Sequence, residues 1–346
     1  MIGYEKELPR KAESLRAWVP KVGVRRWGSW DAEADSCTEL TVILKKYYLC
    51  PMYALEFTLG FLGNLVVVLG YPLCLQEWRS TNVYLYNLAV SDIICVCALP
   101  RLSYLYANDM TETSSVSCVL NRYILFVNMY ASILFMALVS LDRYLLLLHP
   151  QRTNTLLSLR GAVSACLVTW VAVHLMISPL LHYTVRSLAD NNYTVCMDFA
   201  SMSKTWGFLG YSLSLTCCGY VLPLVSLFVS THKIASLLRV FVQRVKSFRR
   251  PLRIVQVAAY MFLLLNLPYY VMKNVRILSR LVAGLSDCAI VRIEALYIVT
   301  RPMAYMHTVI DPVFYFLMTE RFRELLLARF HLLRRIIRSS IQTTEQ

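Results

Sequence analysis

Long apolar stretches separated by short polar links fill most of this chain. A helix needs about 20 mostly apolar residues to cross a bilayer. Seven segments qualify, roughly 49–75, 82–106, 118–148, 159–181, 206–232, 254–279 and 291–317. No fixed-period repeat runs through them, which argues against a solenoid or a repeat-built transporter. The pattern predicts an all-α membrane protein, a seven-transmembrane helix bundle over residues 47–318. A polar N-terminal tail precedes it at 1–46, and a short amphipathic eighth helix with a tail follows at 319–346. There Phe322, Leu325, Leu326 and Phe330 share a face and arginines take the other, as in a helix lying on a lipid surface.

Composition agrees. Of 346 residues 57% are hydrophobic, against roughly 45–50% in soluble domains. The net charge of +14 is unevenly placed. Lys233, Arg239, Arg244, Lys246, Arg249, Arg250 and Arg253 crowd the link between spans five and six. Arg321, Arg323, Arg329, Arg334, Arg335 and Arg338 follow span seven. Positive links stay cytoplasmic, and two crossings separate the clusters, so both lie on one side. The expected topology has an extracellular N-terminus and a cytoplasmic C-terminus. Membrane lipids are expected partners and nucleic acid is not, because the basic runs flank lipid spans. Residues 1–46 are also basic yet lack the apolar core of a secretory signal; charges far from a span weigh little in topology.

Of eleven cysteines, seven lie in or beside spans and read as small buried apolar residues. Cys37, Cys118, Cys196 and Cys288 all fall on the expected outer side, where oxidising conditions favour two bridges. Spacing leaves three pairings open. Asn192-Tyr193-Thr194 makes Asn192 a glycosylation acceptor on that same side.

Distinctive residues, several of them polar, mark the spans in order. They include Gly63-Asn64, Asp92, Asp142-Arg143-Tyr144 and Trp170, then Pro223, Pro268 and the run Asp311-Pro312-Val313-Phe314-Tyr315. Ionisable groups inside a membrane are functional candidates by default. One such marker per span resembles the rhodopsin-like G-protein-coupled receptors, over about residues 47–331. The resemblance implies a receptor that opens its inner face to a heterotrimeric G protein, with Asp142, Arg143, Tyr144, Asn266, Asp311, Pro312 and Tyr315 as its coupling and activation residues. It implies a buried cluster of Asp92, Asn128, Ser132 and Asp311 that holds an allosteric sodium ion, with no other cofactor. Asn64 lies beside that cluster. His307 stands where the family has asparagine and reads as a satisfied core histidine. Prolines 223, 268 and 312 are placed to kink moving helices. Asn266 replaces the family's usual aromatic residue two positions before Pro268.

Within the family the chain is similar to the succinate receptors, in the branch that also senses oxoglutarate and nucleotides. The carrying stretches include "NVYLYNLAVSD", "YAND", "NRYIL", "CMDFAS", "MKNVRILSRL" and "YIVTRP". That resemblance pairs Cys37 with Cys288 and Cys118 with Cys196. It makes Arg122, Lys273 and Arg301 the basic ligand-binding residues, flanked by Tyr53 and Tyr106. Asp198 becomes a loop acid that pairs with a pocket arginine when no ligand is present. Arginine grips a carboxylate with two parallel bonds, so a small dicarboxylate, succinate first, is the expected ligand. Phe126 departs from the pattern, because it replaces a histidine that reaches the ligand. Arg276, Arg280 and Arg292 read as solvated rim charges, and the tyrosines fit an interfacial aromatic belt equally well. Two rivals remain: a receptor for another anion, oxoglutarate or a nucleotide, and a dicarboxylate transporter. No nucleophile–base pair or metal motif suggests an enzyme.

Overall fold

The computed structural model describes residues 39–319, apart from 111, 113, 149–157, 194 and 241–245, and also residues 322–328. The expectations placed on Cys37, Thr194, Arg321 and Phe330, and on most of the two basic clusters, fall outside the described residues or side chains.

Among the described residues six helices are long and apolar enough to cross a membrane: Glu39–Cys74, Ser80–Ala107, Ser115–Leu148, Leu159–Asp190, Trp206–Leu237 and Arg253–Ser279. They are spans one to six. Span three is central, with 72% of its most apolar window buried, whereas span four buries 22% and is peripheral. The exposed Leu167, Val168, Val171 and Leu175 of span four present an apolar surface to the bilayer.

Span seven, expected over 291–317, is interrupted. It is built from Asp287–Tyr305 and His307–Met318, with a turn at Met306. Two prolines frame the break, and each removes a backbone donor. The turn closes through Val309 N–H donating to the Met306 carbonyl at 3.1 Å. Pro312 leaves the Thr308 carbonyl without its helical donor. Asn64 Nδ2 supplies one at 2.8 Å. Gly63 makes room for this contact, since a Cβ there would sit 2.7 Å from the Pro312 ring. The Gly63-Asn64 motif thus accommodates a proline-broken helix 244 residues away.

Proline marks other irregularities. Span two breaks at Cys97–Ala98 just before Pro100. Span five contains a wide π turn at Cys217–Val221 just before Pro223, and there Tyr220 stacks on Tyr270 at 4.2 Å. Such turns often sit at functional positions. Residues 322–328 form the start of the expected amphipathic helix. Phe322 is fully buried against Tyr71, ring centroids 4.6 Å apart, while Leu325 and Leu326 are half-buried beside it.

Candidate functional site

The outer site begins with a disulfide. Cys118 at the start of span three bonds Cys196, Cα atoms 5.8 Å apart. One turn below Cys118 stands Arg122, and two residues after Cys196 stands Asp198. The bridge therefore delivers the loop carboxylate to the helix guanidinium, with Arg122 Nη2 2.6 Å from Asp198 Oδ1. Arg301 arrives from span seven and holds the other oxygen, Nη1 to Oδ2, at 2.9 Å. Its Nη2 donates to the Tyr106 hydroxyl at 3.0 Å. Both arginines are buried, at 8% and 4% exposure. Burial by itself would raise the Asp198 pKa. The guanidinium groups of Arg301 and Arg122 outweigh that and hold the carboxyl well below the usual carboxylate range.

A cavity of about 310 Å³ opens beside this bridge, lined by Tyr106, Arg122 and Asp198 with Lys45, Glu112 and Glu294. The other expected pocket residues lie apart from it. Tyr53 is fully buried beside Tyr106, ring centroids 6.3 Å apart, and its hydroxyl has no partner among the described residues. Phe126 stacks on Phe199 at 4.6 Å. Lys273 is fully buried, and its Nζ donates to the Tyr130 hydroxyl at 3.3 Å. That ammonium lies 4.8 Å from the Tyr270 ring centre and 5.2 Å from that of Phe199. The expected trio of cations thus divides into an arginine pair on one carboxylate and a lysine in an aromatic cage.

Arg276 is not the solvated rim charge its position suggests. It is buried and pairs with Glu294 at 2.5 Å. Glu294, Phe199 and Tyr130 are the site neighbours that sequence reasoning missed. Only the aromatic character of the last two was visible, because helix rotation decides which rings face a cation.

Below this region lies the polar cluster. Asp92 is fully buried. It accepts from Asn128 Nδ2 at 2.9 Å, from the Ser132 hydroxyl at 3.4 Å and from the Tyr315 hydroxyl at 3.1 Å. Asp311 is equally buried, yet among the described residues neither of its oxygens receives a hydrogen bond, and Asn128 Oδ1 is also unpaired. Orphaned buried oxygens beside a second carboxylate fit a small cation. His307 reaches the same cluster and is only half satisfied. Its Nδ1 bonds the Ala304 carbonyl at 2.8 Å, while Nε2 lies 4.0 Å from Asp92 Oδ1 without a hydrogen-bond partner.

At the inner end, Asp142 accepts from Ser80 and Thr81 of span two. Arg143 Nη2 donates to the same Thr81 hydroxyl at 2.7 Å. Tyr144 is half-buried, with Lys233 Nζ 5.9 Å from its ring centre. Asn266 is buried, and its amide is tied back to the Phe262 carbonyl at 3.2 Å. Asn192 is exposed in the turn after span four.

The profile of the 7 transmembrane receptor (rhodopsin family) matches residues 63–315. The chain belongs to that family. It is 40% identical to succinate receptor 1 of Rattus norvegicus over 290 residues, which cover 83% of this chain and 91% of the relative. Succinate receptor 1 of Mus musculus is 40% identical over 291 residues, 83% and 92% of the two chains. Purinoceptor 1 of Rattus norvegicus is 30% identical over 295 residues, 83% and 78%. A member of the rhodopsin family is a multi-pass membrane receptor for a small molecule that signals through a G protein. The chain is therefore a signalling receptor and not an enzyme, and membership sets aside the transporter reading.

Proposed function

We propose that this receptor sits in the plasma membrane with its N-terminus outside and answers to a small extracellular dicarboxylate, succinate first. One observation carries the reading: Arg122 and Arg301, on different spans, converge on a single carboxylate. That carboxylate belongs to the loop, so Asp198 stands where an acid ligand would bind. Each charge-assisted bond contributes roughly 1.5–3 kcal/mol net, so a few support micromolar to millimolar binding. The cavity of about 310 Å³ lies at the small end of ligand sites, which run from roughly 300 to 1,000 Å³. Its size favours a short diacid over a nucleotide. Lys273 offers a further basic group, bonded to the Tyr130 hydroxyl and paired with no carboxylate among the described residues. It can take the far end of the diacid once Phe199 moves.

On this reading residues 1–46 are the outer tail, 47–318 the receptor domain and 319–346 an inner helix and tail on the lipid surface. Tyr53 and Tyr106 back the arginines, and Phe126 packs under the loop against Phe199. Ligand binding shifts the balance between two conformations by its differential affinity for them. The prolines and the Asp92 cluster couple that shift to Asp142-Arg143-Tyr144, where the heterotrimeric G protein binds. Sodium at Asp92, Asn128, Ser132 and Asp311 would hold the inactive arrangement. The test is a panel of organic acids and nucleotides on cells expressing the receptor, read by G-protein dissociation. Succinate or a close diacid should lead. A response to nucleotides alone would replace this ligand with the other anion class.

A further inference from the structure

We infer that Asp92, His307 and Asp311 form a binding site for a divalent first-row transition cation, with zinc its natural probe. The three offer one ligand atom each, all within 4.8 Å of one another and all buried. Zinc binds nitrogen and oxygen at about 2.0–2.2 Å, so two ligands of one ion stand at most about 4.4 Å apart. The Nε2–Oδ1 separation of 4.0 Å already lies within that limit, and the widest pair needs a closure of a few tenths of an ångström.

The hydrogen bonding of His307 decides its tautomer. A ring nitrogen against a carbonyl must carry the proton, so Nδ1–H donates to Ala304 and Nε2 keeps its lone pair. Nε2 lies 4.0 Å from the Asp92 carboxylate oxygen in a water-poor interior and has no hydrogen-bond partner among the described residues. Two acceptors this close repel unless a proton or a metal cation lies between them. A backbone carbonyl on the far nitrogen is also the usual way a metal-binding imidazole is held in place. Asp311 adds two oxygens without donors.

Charge and donor type then select the ion. Metal binding strips protons from its ligands, and the two carboxylates so deprotonated carry two negative charges beside a neutral imidazole. A monovalent ion leaves one of them uncompensated in a buried site, whereas a divalent ion leaves none. Sodium seeks oxygen, while an imidazole nitrogen suits zinc, nickel, copper and iron. The inference does not depend on which acid fills the outer pocket.

The test uses full-length receptor in lipid nanodiscs, stripped with a chelator and free of agonist. Zinc chloride is titrated in, retained zinc is counted by elemental mass spectrometry after desalting, and thermal unfolding is followed in parallel. The wild type should retain one more zinc per chain than His307→Asn, and zinc should raise its unfolding temperature. His307→Asn should bind that zinc at least about tenfold more weakly and still respond to sodium, which shows that it is folded. If that variant does not fold, Asp311→Asn, which keeps the side-chain shape, carries the same comparison. Equal zinc retention by wild type and variant, or no effect of zinc on wild-type unfolding, would overturn the site.

Discussion

Arg122 and Arg301 reach one carboxylate from spans three and seven, and the loop acid they hold defines the chemistry of the outer site. If Asp198 competes with ligand for the arginines, Asp198→Asn should lower the succinate concentration for half-maximal response. A competition of about 1.4 kcal/mol corresponds to tenfold. A weaker response at matched surface expression would mean that Asp198 organises the pocket instead. The Asp198 pKa is held low by its arginines, so the carboxylate stays charged above the ordinary carboxylate range. The Asp198 side of the competition is then flat between about pH 5 and 8, well above the ordinary pKa near 3.9. Phe126 supplies a second test. Phe126→His should raise succinate potency by about 10- to 100-fold, one charge-assisted bond of roughly 1.5–3 kcal/mol. The gain should grow below neutral pH, where an added histidine is cationic. Loss of succinate potency would reject the missing donor. Arg301 was legible because a cation amid "YIVTRPMAYMH" has no bland place in lipid. The cage around Lys273 was not, because spacing does not say which way Tyr130, Tyr270 and Phe199 turn.

Spans were legible at the scale of elements because each is a long apolar run. The break in span seven was visible only as two prolines. Its compensation was invisible, since Asn64 satisfies a carbonyl far along the chain. Asn64→Ala should leave the Thr308 carbonyl buried without that donor and destabilise the bundle by about 1–3 kcal/mol. Thermal unfolding of purified receptor measures this, and an unchanged midpoint would contradict the role. The Cys118–Cys196 bridge came from resemblance, spacing having left three pairings open. Cys118→Ser should release Asp198 from Arg122 and abolish surface delivery or the succinate response. Mass spectrometry of a non-reduced digest checks the pairing, and a Cys37–Cys196 peptide would contradict it.

At the scale of the molecule, Arg122 lines the outer cavity and Arg301 joins it through Asp198, and the Asp92 cluster lies between this pair and Asp142-Arg143 at the inner end. The order of these stations was legible along the spans. That Asp198 closes the outermost one was not, because it depends on a loop folded back by a disulfide. The central claim is that two arginines from different spans trap an acid. The most direct measurement is a succinate dose–response curve, read by G-protein dissociation, for wild type, Arg122→Ala and Arg301→Ala at equal surface expression. Both variants should lose the response while remaining at the surface. A wild-type curve in either one would contradict the account.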